Sequence, residues 1–264
     1  MKRKAFWLAA AVVGIAGAVS VVWAQQTKTQ PSPEVLKAKE FFEVAGNPDD
    51  KWIEGETIIP HVAPGSHFKA TMLYYPGTEE LQPDEARVTF MGSTYYPNRS
   101  QSGMSILVEL GNGETLVFDL GIGSLRNYNA FSIPFNTINH VFFTHLHMDH
   151  MSDLPYFMMF RPIQGGWTPL HIYGPSGAEK HDGIAHMIEH MMKMTAWHQD
   201  SFHAWPIGDG FSPEVHEFDF MKEGEVIYDR KGVKIRHWPT SHTKDGATSY
   251  RLDWNGRSIC YTGD

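Results

Sequence analysis

The sequence predicts a layered α/β domain over residues 86–264, on three observations. Short apolar runs of strand character, at 88–91, 105–110, 115–118, 139–144 and 170–173, alternate with helical stretches near 124–130, 154–160 and 178–198. Closely spaced strands follow, at 215–220, 225–228, 233–237, 248–254 and 257–261. Side chains that ligate metals fall where strands end. The fullest case is His145-Leu146-His147-Met148-Asp149-His150, which follows the strand-like Val141-Phe142-Phe143. Imidazole and carboxylate are ligands suited to zinc and related divalent ions. In an extended segment His145 and His147 project to one side, and Asp149 and His150 come where the chain must turn. Four ligands on one tight loop can serve two adjacent metals.

The first 24 residues read as a secretory signal peptide: Met1-Lys2-Arg3-Lys4, an apolar run over 5–22, and a small residue, Ala24, before Gln25. The run approaches the length of a membrane span but is rich in Ala and Gly, so cleavage after Ala24 is expected, with a periplasmic or secreted mature chain and no stable membrane span. Cleavage removes three positive charges from a chain already at a formal −8. That balance argues against nucleic acid and for a small-molecule substrate. The single cysteine, Cys260, excludes an internal disulfide and is expected to be a small buried hydrophobe. The sequence is silent on oligomeric state.

Residues 25–85 read as an N-terminal extension and linker, with a short helix possible at 34–44 and surface histidines at His61 and His67. The domain begins at 86. Its first strand leads into a loop whose Tyr95, Tyr96 and Arg99 are candidates to line the substrate mouth. Gly111-Asn112-Gly113 is a hairpin turn, and so is Asn255-Gly256. Asp119 ends a strand beside glycines, where it either orients a metal ligand from behind or caps the segment starting near Ser124. Ser152-Asp153 can cap the helix over 154–160, with Pro155 in its first turn. On the helix over 178–198, Ile184, Met187, Ile188 and Met191 share a side, with Met192 or Met194 continuing it. His186, Glu189 and His190 there fit H-x-x-E-H, an inverted zinc-protease spacing. No third ligand is assigned to it, and the methionines read as core or as the wall of an apolar pocket.

The ordered set is therefore Asp119, His145-x-His147-x-Asp149-His150, His242 and Asp264. Its neighbours are Phe90-Met91-Gly92-Ser93, Phe118-Asp119-Leu120-Gly121, Asp153-Leu154-Pro155, Ile172-Tyr173-Gly174-Pro175-Ser176-Gly177, Ser249-Tyr250-Arg251-Leu252 and Tyr261-Thr262-Gly263-Asp264. Over residues 86–264 this resembles the metallo-β-lactamase superfamily, an αβ/βα sandwich, and most closely its ribonuclease Z and arylsulfatase-like branch. A guanitoxin-biosynthesis metallohydrolase subgroup is also similar. The resemblance implies two zinc ions, with manganese or iron as alternatives. It implies that His145, His147 and His242 hold one ion, Asp149 and His150 hold the other, and Asp264 bridges them. His237 competes with His242 for the third histidine. Asp119 becomes an orienting residue behind the ligands.

The family's last ligand is a histidine downstream of the bridging aspartate, so a chain ending at Asp264 is expected to be a fragment with an incomplete second half. Activated water would attack, with Asp149 accepting or relaying its proton. The reading that follows is an exported hydrolase of a small sulfate, phosphodiester or related ester. The alternatives are a ribonuclease Z that trims precursor tRNA, a lactonase or β-lactamase, and a metal-binding relic without activity. The flexible tRNA-gripping arm of ribonuclease Z is not identified in residues 178–213.

Overall fold

A computed structural model describes residues 9–12, 20–23, 81–202, 204–205 and 207–264. Two compact units divide the chain: 1–80 with 126–133, and 81–125 with 134–264. In the first, strands β1 (Ala9–Val12) and β2 (Ser20–Trp23) pair antiparallel, within the segment read as a signal peptide. The remainder of that segment, the helix expected over 34–44, His61 and His67 lie outside the described residues. Among the described residues no helix is long and apolar enough to cross a membrane.

The second unit is built on two sheets. β3 (Ala86–Gly92), β4 (Ser105–Leu110), β5 (Thr115–Phe118), β6 (His140–Phe142), β7 (His171–Pro175) and β8 (Glu214–Phe218) form one sheet in sequence order. β3 to β5 run antiparallel and β5 to β8 parallel. β9 (Glu225–Arg230), β10 (Val233–Pro239), β11 (Thr248–Trp254) and β12 (Arg257–Tyr261) form a wholly antiparallel sheet. Alternate residues of the two sheets make one core, with Ile106, Phe118 and Phe142 from the first and Ile235, Tyr250 and Leu252 from the second. Phe142 stacks on Tyr173 at 4.4 Å and meets Tyr250 edge-on at 5.9 Å. Burying each such side chain contributes about 1.5–3 kcal/mol.

The intervening residues Leu107, Val117, Val141 and Ile172 face the other side of the six-stranded sheet and are fully buried. Strands covered on both faces read as continuous apolar runs, as Val141-Phe142-Phe143 does. The helices are α1 (Ser124–Ala130), α2 (Met148–Met151), α3 (Leu154–Phe160), α4 (Ile184–Met194) and α5 (Ala196–Ser201). α4 packs on β7 and β8, where a Cβ on Gly174 would meet Ile184 at 2.9 Å.

Four expectations are corrected. The helix expected over 178–198 breaks at Thr195, whose hydroxyl donates to Met191 O at 2.9 Å and competes with the helical ladder. Ile184, Ile188 and Met191 are buried as expected, whereas Met194 is exposed. Asp153 does not cap α3. Its carboxylate accepts from the backbone N–H groups of Gly123 (3.0 Å) and Leu125 (2.9 Å), so it caps the start of α1, the task considered for Asp119. Cys260 is exposed: β12 is an edge strand, and its alternation turns Tyr261 inward and Cys260 outward.

Candidate metal centre

The centre lies at the C-terminal end of β6, where the chain leaves the sheet. Asp119, just past β5, is fully buried and has a left-handed φ of 59°, a conformation that few residues other than glycine adopt. This turn aims its carboxylate across the strand ends. Oδ1 accepts the Thr144 N–H at 2.8 Å. Oδ2 accepts the hydroxyls of Thr144 and Tyr261, each at 2.8 Å, and lies 2.8 Å from His150 Nδ1. The loop backbone is held as closely. Met104 N–H donates to Asp149 O at 2.8 Å and Leu120 N–H to His150 O at 2.7 Å. A Cβ on Gly121 would sit 1.7 Å from Asp149 O, so only glycine allows this approach.

These contacts set the tautomers. His150 Nδ1–H donates to Asp119, which turns Nε2 outward, 3.1 Å from Asp264 Oδ1 and 3.6 Å from Asp149 Oδ2. The Thr144 hydroxyl, already donating to Asp119, accepts from His145 Nδ1 at 3.1 Å. His145 Nε2 is thereby freed, 3.0 Å from His147 Nδ1, which is itself 3.1 Å from His242 Nε2. Burial, then repulsion from His150, His147 and His242, pushes His145 down to about 3, so at neutral pH its lone pair is available. Burial alone would lower His150 too. The hydrogen bond and charge of Asp119, with Asp264 and Asp149, outweigh it and hold His150 above its usual range.

Two groups of ligand atoms therefore converge: His145, His147 and His242, and His145, His150 and Asp264, each within 4.8 Å. Imidazole nitrogens gathered this closely, with a carboxylate beside them, are a donor set that fits a cation. The three-histidine group and the place of Asp264 between the groups, Oδ1 3.1 Å from His150 and Oδ2 4.0 Å from His242, match the implied set; His145 and Asp149 differ. His145 belongs to both groups, and Asp149 stands at the edge of the second, nearest His150. His237 lies elsewhere, buried with Nδ1 3.2 Å from Thr248 Oγ1 and its ring 4.1 Å from Phe218. A cavity of about 270 Å³ opens over the first group, walled by His145, His147, His242, His181, Asp182 and Lys244. Tyr95, Tyr96 and Arg99 do not line it. They sit on an exposed loop, with the tyrosine rings 4.5 Å apart. Thr144 and Tyr261 were missed at the sequence level. Thr144 lies between the strand and the first histidine, and Tyr261 three residues before Asp264, where only a structure shows that both meet Asp119.

The model of the metallo-β-lactamase superfamily matches residues 100–264. Ribonuclease Z of Mycolicibacterium gilvum is 30% identical over 182 residues, 67% of this chain and 60% of that protein. Ribonuclease Z of Mycobacterium avium is 31% identical over 183 residues, 67% and 62% of the two chains. The chain thus spans about three-fifths of the length of these curated relatives. Among solved structures, human tRNase Z, short form, superposes with a TM-score of 0.53 at 20% identity, covering 68% of this chain and 69% of that one. These relatives, named for an RNA-processing enzyme, overturn the expectation that nucleic acid is an improbable partner, which rested on net charge. A formal −8 describes the whole surface and does not decide the charge of a local site. The chain belongs to the metallo-β-lactamase superfamily, on its ribonuclease Z branch.

Proposed function

We propose that this centre hydrolyses a phosphodiester in RNA, with the 3′ side of precursor tRNA as the first substrate to test. The observation that carries the reading is the pair of ligand groups sharing His145, with Asp149 beside them and an open cavity above. The ribonuclease Z relatives support RNA over the small sulfate or phosphodiester expected from the sequence. His145, His147 and His242 would hold one divalent ion, and His150, Asp264 and Asp149 the second, with His145 close to both; zinc suits this donor set best. When bound, such ions lower the pKa of water towards ~7 and offset charge on the phosphoryl oxygens. Asp119, through Thr144 and His150, keeps the ring nitrogens pointed into the site. Asp149 accepts the proton of the attacking water. Lys244 and Asp182 pair at the cavity wall, Nζ to Oδ1 at 2.5 Å, so the ions and not that lysine would meet the phosphate charge.

The test is the purified chain loaded with Zn²⁺ and assayed on precursor tRNA, a bis-aryl phosphodiester, an aryl sulfate and a lactone. RNA cleavage that is lost with chelator and restored by metal is expected. Turnover of a small ester with the RNA left intact would return the function to small-ester hydrolysis. Export through residues 1–24 is a competing proposal, since an exported chain would not meet precursor tRNA; it expects a mature N-terminus at Gln25 in an extracytoplasmic fraction, and intact Met1 in the cytoplasm would overturn it.

A further inference from the structure

A second group of ligand side chains stands at the opposite end of the parallel strands. His171 opens β7, and Glu214 and His216 lie on β8 two residues apart, so all three project from one face. Backbone hydrogen bonds fix where these strands begin: His171 N–H donates to Asn139 O and Glu214 N–H to Leu170 O, both at 2.9 Å. His171 Nδ1 is 3.1 Å from His216 Nε2 and also 3.1 Å from Glu214 Oε2. The three ligand atoms all lie within 4.8 Å of one another.

A neutral imidazole has one hydrogen or one lone pair at Nδ1, so it can serve only one of these two contacts with a well-directed bond. A shared cation satisfies both. Ligand atoms around a tetrahedral zinc, each ~2.0–2.1 Å from the metal, stand about 3.3 Å apart, close to the two spacings from His171 Nδ1. The rings are held for the purpose by stacking: His216 on Tyr173 at 4.4 Å, and His171 on His140 at 4.8 Å. The exposed H-x-x-E-H group on α4 is the weaker candidate, because Glu189 is already paired with Lys193 at 2.5 Å.

We propose that His171, Glu214 and His216 form a second metal site, separate from the centre at His145, which takes a divalent transition ion of the zinc class with water in the fourth position. Its place in the fold gives it a structural task. β8 is the edge strand of the six-stranded sheet, and an ion held by both β7 and β8 clasps that edge to its neighbour.

Equilibrium dialysis of the full chain against Zn²⁺ tests this. His171→Ala/His216→Ala is expected to hold one equivalent fewer than wild type, and His145→Ala/His147→Ala is expected to keep that equivalent. Equal stoichiometry in wild type and the His171/His216 variant would overturn the proposal. Should the double variant fail to fold, the milder His216→Gln gives a second reading. Zn²⁺ is expected to raise the thermal midpoint of His145→Ala/His147→Ala, and adding His216→Gln is expected to abolish the rise. A rise that survives His216→Gln sinks the site.

Discussion

The parallel strands carry histidines at both ends, and the two ends differ in what stands behind the rings. At the C-terminal end of β6, His145 and His150 are each backed by a hydrogen-bonded partner, and both chains of contact run to the buried carboxylate of Asp119. At the N-terminal end, the rings of His140, His171 and His216 are held by stacking, and His140 Nδ1 is buried with no hydrogen-bond partner among the described residues. Residue types alone do not separate the two clusters. The polar layer behind the ligands does: it fixes tautomer and ring orientation, which a reacting centre needs and a clasp can do without.

The sharpest way to break this contrast is to remove ligands from the C-terminal end. His147→Ala and His242→Ala each delete a nitrogen from the three-histidine group. Each is expected to lower metal occupancy and to cost more than ~100-fold in rate, beyond the range of an outer-layer partner. Metal analysis alongside turnover checks this; unchanged occupancy in either variant would remove that histidine from the site.

Asp119→Ala comes next. It is expected to cost ~10–100-fold in metal affinity or rate. It also strands the donors of Thr144 and His150, each buried orphan costing about 1–3 kcal/mol. Urea midpoints measured with and without metal separate the two effects. A rate loss equal to that of His147→Ala would make Asp119 a direct ligand rather than an orienting residue.

The N-terminal end should respond with the opposite sign. Burial, then repulsion from His171, holds His140 at about 4, below the ~6.5 of an unfolded chain. The unfolded state therefore binds more protons between pH 6.5 and 4, and stability falls as pH drops through that window. His140→Phe removes both this proton uptake and the orphaned Nδ1. In EDTA, the variant is expected to gain on wild type by on the order of 1–2 kcal/mol as pH falls from 7 to 5. An equal acid sensitivity in the two proteins, read from urea midpoints, would assign the loss to other groups.

Much of this was readable before the fold was known, and the reasons are local. Period-2 runs and glycine turns mark strands, so the hairpins at Gly111-Asn112-Gly113 and Asn255-Gly256 fall where expected; Asn255 and Gly256 adopt the left-handed φ values of 47° and 73° such a turn requires. The loop at His145–His150 is a sequence-local cluster, visible as such. What escaped depends on distant pairing. Asp153 looks like a cap for the helix that follows it, yet its nearest free N–H groups belong to a segment about 30 residues earlier. Cys260 sits in an apolar run, but sheet order makes β12 an edge. His171 and His216 are 45 residues apart and meet only because β7 and β8 pair in parallel.

The smallest effect bears on how finely the layer behind the ligands is divided. Tyr261 is one of three donors to Asp119 Oδ2, each at 2.8 Å, and its ring packs edge-on to Phe118 at 5.9 Å in the core between the sheets. Tyr261→Phe keeps that packing and removes one donor, while Thr144 and His150 still occupy the carboxylate. A hydrogen bond to a charged acceptor contributes about 1.5–3 kcal/mol, and an acceptor left with other partners loses less than one left bare. The variant is therefore expected to lose about 1–2 kcal/mol in urea with metal occupancy intact and the rate changed only a few-fold. Metal loss as large as that of Asp119→Ala would mean that Asp119 is aimed by Tyr261 from the second sheet, and not by the left-handed turn that ends β5.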